Sequence, residues 1–213
     1  MLALTRKVVA NDRVVHAGGW DRRLVHPVRG LTLGLIGMGR IGRAVAIRAR
    51  AFRMRLGAHD TVLDVEFDRQ HGIERLPLEE LLAGSDAVSL HLPLTEATRG
   101  LVNRDFLARM RPGSYLINTS RGGFVVEADL RDALVSGHLG GAGLDVLNHE
   151  PPEPGDPLLG LPNVVLSPHI AGTDTQSMRE MAELAATTIV DLYHNRWPAD
   201  CVVNAELRDD WRW

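Results

Sequence analysis

Residues 31–52 read LTLGLIGMGRIGRAVAIRARAF: an apolar run, three glycines at Gly37, Gly39 and Gly42, then a helix-like stretch free of glycine and proline. A strand that feeds a helix through so short a turn leaves few options. The first glycine permits the tight turn, the second lets another group approach the backbone, and the third allows close helix–strand contact. The spacing G-x-G-x-x-G is a weak signal alone, so its meaning depends on whether the chain supplies a parallel sheet around it.

The chain does supply one. Apolar β-type runs at 31–37, 54–60, 86–93, 114–120, 140–146 and 163–169 read as strands, and 42–52, 77–84, 103–110, 127–137 and 173–197 read as helices, with apolar positions recurring at three and four. This alternation predicts an α/β fold: a Rossmann-type, doubly wound parallel sheet with flanking amino- and carboxy-terminal helices. Such sheets bind ligands beyond the carboxyl ends of their strands.

The 213 residues, 45% hydrophobic and 24% charged, suffice for one sizeable domain with appendages. A formal net charge of −3 without a basic stripe excludes nucleic acid as the expected partner. The single Cys201 and the lack of zinc-ligand spacing argue against a disulfide or a metal. No run approaches the roughly 18 apolar residues of a membrane span, and the expected location is the cytoplasm. Met1, Leu4, Val8 and Val15 share one helical face with no capping signal before them, so the chain reads as entered in mid-helix. The expected organisation is an amino-terminal helix over 1–16, a nucleotide-binding domain over 17–172, and a helix with tail over 173–213.

The second predicted strand ends at Asp60, 60 − 37 = 23 positions beyond Gly37. A carboxylate there holds the ribose hydroxyls of an NAD adenosine and repels a 2′-phosphate, and no arginine follows in DTVLD. NAD is therefore the expected cofactor. Other predicted strand ends carry Arg121, then Asp145 and Glu150, then His169. A cation, a carboxylate and an imidazole on one rim suit hydride transfer to or from a 2-hydroxy acid, which needs an anion anchor, an acid/base and a carboxylate tuning it.

In this order, GWDRRLVHPVRGLTLGLIGMGRIGRAVA, VSLHLPLTEATRGLVN, LINTSRGGFVVEADLRDAL, GAGLDVLNHEPP and SPHIAG resemble the D-isomer-specific 2-hydroxyacid dehydrogenase family over nearly the whole chain. The resemblance implies that Arg121 binds the substrate carboxylate and carbonyl, that His169 is the acid/base, and that Glu150 tunes it. It implies further that Asp145 holds the nicotinamide amide. Arg40 and Ile41 would lie on the pyrophosphate, Leu92, Pro93 and Thr98 near the adenosine, and Thr119 and Gly172 near the nicotinamide.

Family members carry an amino-terminal substrate domain before the segment that resembles MLALTRKVVANDR, and this sequence departs from the pattern there. Three readings follow: a dehydrogenase completed through a homodimer, an NAD-binding remnant with little turnover, and a Rossmann enzyme of another class. The last loses ground on the residues themselves. A methyltransferase does not need Arg121, Glu150 and His169, and Ser120 in INTSRGG lacks the first glycine of the hydrolase G-x-S-x-G.

Overall fold

The computed structural model describes residues 1–22 and 24–212; Arg23 in the segment leading to the glycines and Trp213 at the end of the tail lie outside the described residues. Two units divide the chain, residues 1–169 and 170–213.

The first unit is built on seven parallel strands in the order β3-β2-β1-β4-β5-β6-β7. They are β1 (Thr32–Ile36), β2 (Arg55–His59), β3 (Ile73–Arg75), β4 (Ala87–Leu90), β5 (Tyr115–Asn118), β6 (Gly141–Leu144) and β7 (Val164–Leu166). Successive side chains point to opposite faces, and each face has its own apolar cluster. Leu33 and Leu35 of β1 pack with Ala46, Ala49, Leu56 and Ala58, and Ile36 packs with Val88, Leu90, Leu116, Phe106 and Leu130. Strands covered on both faces read as continuous apolar runs, which is why their sequence signal is strong.

The helices of this unit are α1 (Leu2–Thr5), α2 (Val8–His16), α3 (Arg40–Ala51), α4 (Val65–His71), α5 (Leu78–Gly84), α6 (Arg104–Arg109) and α7 (Glu127–Val135). A Cβ added to Gly34 of β1 would lie 2.7 Å from the Leu81 side chain of α5, so this glycine admits the helix against the sheet. In the second unit, α8 (Thr175–Tyr193) starts at Asp174, whose side chain accepts from the amides of Gln176 and Ser177, both at 3.0 Å.

Three local expectations are corrected. The single helix expected from residue 1 to 16 is two helices, broken where Lys7 takes a left-handed φ of 49°. The strand β3 and the helix α4 were absent from the expected element order. Their signals are weak because β3 has three residues, two of them charged, and α4 has only seven. Asp64 does cap α4 by accepting from Phe67 N at 3.1 Å, and Gly72 ends it in the left-handed region with φ 60°. The pair Arg75–Asp68, at 2.7 and 3.1 Å, ties β3 to α4.

Candidate functional site

Because β1 lies between β2 and β4, the chain leaves the sheet's centre in opposite directions there, and a crevice opens at the carboxyl ends of β1 and β4. Gly37 turns out of β1 with φ 96°, its amide donating to His59 O at 3.0 Å. A Cβ on Gly37 would meet His91 O at 2.5 Å, and one on Gly42 would meet Gly37 O at 2.1 Å. Both atoms are backbone, so no side chain can yield to make room. Gly39 differs: a Cβ there meets nothing within 4 Å, and the space above it is open. Gly39 is also the N-cap of α3, with no side chain capping it and no acid in the first turn. The first amides of an α-helix have no partner within it, so those of Arg40 and Ile41 present an uncapped positive end to this opening. That cradle fits a pyrophosphate.

Asp60, at the end of β2, is held from both sides. Its Oδ2 accepts from Met38 N at 2.5 Å and its Oδ1 from Val62 N at 2.9 Å. Burial pushes its pKa up, but the amides of Val62, Met38 and Thr61, with the Arg75 charge, outweigh that and hold it below the usual carboxylate range. Although no arginine follows in DTVLD, Arg75 and Arg43 both reach this region. Each is committed: Arg75 to Asp68, and Arg43 to Asp64 at 2.6 Å and to Met38 O at 3.0 Å.

Beyond β4, Leu92 lies against Gly37, its Cδ2 3.1 Å from an added Cβ. Thr98 Oγ1 donates to Pro93 O at 3.0 Å and accepts from Thr95 N at 2.8 Å, closing the loop that follows. His91 was not singled out from the sequence. Its Nε2 bonds Ser89 Oγ at 2.9 Å, its Nδ1 is buried with no hydrogen-bond partner among the described residues, and burial pushes its pKa down to about 4. A histidine at a strand end beside the glycine turn was the available signal.

The remaining strand ends form a rim. Buried Asn118, the last residue of β5, sets the next turn, its Nδ2 donating to Arg121 O at 2.8 Å while Oδ1 accepts from Ser120 N at 3.0 Å. Thr119 is exposed in that turn, and Arg121 Nη1 donates to Ser120 O at 2.6 Å. A Cβ on Gly122 would lie 2.0 Å from Leu147 O, so the arginine turn sits directly on the loop after β6. Within that loop Glu150 Oε1 accepts from Leu147 N at 2.9 Å, and Oε2 lies 2.8 Å from His169 Nδ1. The bond to His169, then that to Leu147, holds the Glu150 carboxyl below its usual range. His169 has a left-handed φ of 56°, its amide donating to Asp145 O at 2.8 Å. Such backbone at a non-glycine residue marks a constrained position of the sort found at active sites. Asp145 is buried, and its Oδ1 accepts from Ser167 Oγ at 2.5 Å. Arg121, Glu150 and His169 thus line one cavity of about 290 Å³. Gly172 belongs to the second unit, in the turn closed by Thr173 N donating to Ile170 O at 3.0 Å.

Residues 1–171 match the family profile described as D-isomer specific 2-hydroxyacid dehydrogenase, NAD binding domain. The chain belongs to this family. A glyoxylate reductase of Korarchaeum cryptofilum is 43% identical over 97% of this chain and 64% of its own length. A D-3-phosphoglycerate dehydrogenase of Archaeoglobus fulgidus is 39% identical over 90% of this chain and 37% of its own. Among solved structures, the NAD-complexed D-isomer specific 2-hydroxyacid dehydrogenase of Lactobacillus delbrueckii ssp. bulgaricus superposes with a TM-score of 0.83 at 31% identity, covering 92% of this chain and 65% of that one. The chain therefore carries the NAD binding domain of the 2-hydroxyacid dehydrogenases, and it spans 64% of the length of the first of these relatives. No described helix is long and apolar enough to cross a membrane, and no described group of three or more His, Cys, Asp or Glu residues could hold a metal ion.

Proposed function

We propose that the chain serves NAD-dependent hydride transfer between a 2-hydroxy acid and the corresponding 2-keto acid. The observation that carries this reading is the His169–Glu150 pair at 2.8 Å, on the same cavity as Arg121 and on the rim of a sheet with a glycine cradle. NAD, bound at Gly37, Gly39, Arg40, Ile41, Gly42 and Asp60, supplies the hydride donor or acceptor. Leu92, Pro93 and Thr98 border the adenosine side, and Thr119 and Asp145 serve the nicotinamide side.

The chain's own residues do the rest. Arg121 takes the substrate carboxylate and polarises the carbonyl, because a guanidinium offers a planar pair of donors matched to two oxygens. Glu150 holds His169 Nδ1, so Nε2 is the ring nitrogen left to give a proton to the carbonyl oxygen in reduction and to take one in oxidation. The bond to Glu150 orients the ring. Leu147 N fixes the far oxygen of Glu150, which prevents the carboxylate from swinging away.

The same reading places the protein in the cytoplasm as a homodimer. Exposed Val8 and Val15, on one side of α2, supply an apolar patch that favours pairing. Sedimentation at micromolar concentration tests this; a monomer alone contradicts it. The activity itself is tested by following NADH absorbance with a panel of 2-keto acids, beside NADH titration. Reduction that His169→Ala removes supports the assignment; reduction that survives His169→Ala overturns it.

A further inference from the structure

The cavity that holds Arg121, Glu150 and His169 is also lined by Arg99, a second arginine that the acid/base chemistry does not use. Arg99 comes from the loop after β4, and local geometry holds that loop on the arginine turn. Gly100 N donates to Gly123 O at 2.9 Å, and a Cβ on Gly123 would lie 3.3 Å from Arg99 Nη1. Gly123 thus leaves the room in which the guanidinium lies across the turn that carries Arg121.

Charge on this cavity is uneven. Glu150 is its carboxylate, and both of its oxygens are engaged, one by Leu147 N and one by His169. The acid paired with Arg99 is Glu96, at 3.8 Å and 94% exposed, a distance beyond hydrogen bonding and a site washed by solvent. A simple 2-keto acid brings one carboxylate, which a single guanidinium satisfies through two parallel bonds. A second guanidinium on the same cavity calls for a second anion.

We propose that Arg99 is a specificity-determining residue that binds a second anionic group, phosphate ester or carboxylate, at the far end of the substrate. The cavity then favours a 2-keto acid with two anionic ends over one with a single carboxylate. This rests on the dehydrogenase reading above, since it takes Arg121 as the anchor for the first carboxylate.

The test titrates the NADH-loaded chain at low ionic strength with hydroxypyruvate, its 3-phosphate ester and 2-oxoglutarate, using calorimetry. The wild type binds at least one of the two doubly anionic acids about tenfold more tightly than hydroxypyruvate, and the tighter of the two names the second anion. Arg99→Gln erases that preference while leaving hydroxypyruvate affinity within about twofold, and Arg99→Lys restores part of it. Arg121→Gln weakens all three acids. Equal wild-type affinity for the three acids, or a preference that survives Arg99→Gln, overturns the role of Arg99 and leaves the dehydrogenase reading standing. Failure of the NADH-loaded wild type to bind any of them overturns both.

Discussion

The glycine cradle and the acid/base rim lie at the same edge of one sheet but are made from different materials. The cradle is backbone: Gly37 and Gly42 are packed against carbonyl oxygens, and Asp60 is fixed by the amides of Met38 and Val62. The rim is side chain: Arg121 is exposed, and the His169 and Glu150 side chains are 50% and 36% exposed. A site made of backbone is set by the fold itself and changes only when the fold does. A site made of exposed side chains keeps its fold when altered and loses its chemistry. Substitutions in the two regions therefore separate binding from catalysis.

The largest effect falls on the cradle. Gly42→Val places a branched side chain where a single Cβ already meets Gly37 O at 2.1 Å. Urea denaturation should show a loss of roughly 3 kcal/mol or more, and NADH titration should show no saturable binding. Retention of wild-type stability and affinity would erase the proposed distinction. On the rim, His169→Ala should lower 2-keto acid reduction by about 10²–10⁴-fold, the usual worth of a positioned acid/base, with the denaturation midpoint little changed.

Between the two regions lies His91, half-buried beneath the glycine turn. Its folded pKa of about 4 is below the ordinary value of 6.5, so the fold holds it neutral. The unfolded chain gains the extra proton first. Stability is fully present above pH 6.5 and is lost as pH falls from 6.5 toward 4, by an amount on the order of 3 kcal/mol. Below that range the depressed carboxyls of Asp60 and Glu150 add their own loss as each takes up a proton. Stability curves at pH 7 and pH 4.5 measure the first of these, and His91→Gln should flatten the fall between them. An equally steep fall in His91→Gln would assign it elsewhere.

Smaller effects sharpen the contrast. Asp60→Ala should weaken NADH by about 1.5–3 kcal/mol, the worth of a charged hydrogen bond, and narrow the margin over NADPH. Equal affinity of the wild type for both cofactors would contradict the role of Asp60. Glu150→Gln keeps an acceptor for His169 but removes the charge, and should slow reduction about fivefold, roughly 1 kcal/mol, without touching NADH affinity.

What the sequence revealed follows the same division. Strands covered on both faces announce themselves as apolar runs, and the glycines of the turn, set between such a run and a helix-like stretch, read as strand–turn–helix. The rim residues could be placed because each follows an apolar strand. The features that escaped lack a strong local signal. The strand β3 is three residues carrying Glu74 and Arg75, held by its pairing with β2, by buried Ile73 and by the Arg75–Asp68 pair. The break at Lys7 is a left-handed backbone state at a residue whose side chain gives no hint of it. Arg99 reads as an ordinary loop cation until Gly123 and the bond from Gly100 bring it beside Arg121. Burial of His91 is likewise a property of the packed crevice.

The most direct test of the separation between cradle and rim is the NADH dissociation constant of the wild type and of His169→Ala, measured by fluorescence titration under the same conditions. Saturable binding in both, with constants within about twofold, is the expected result. Absent binding in the wild type, or a tenfold weakening in His169→Ala, would contradict it.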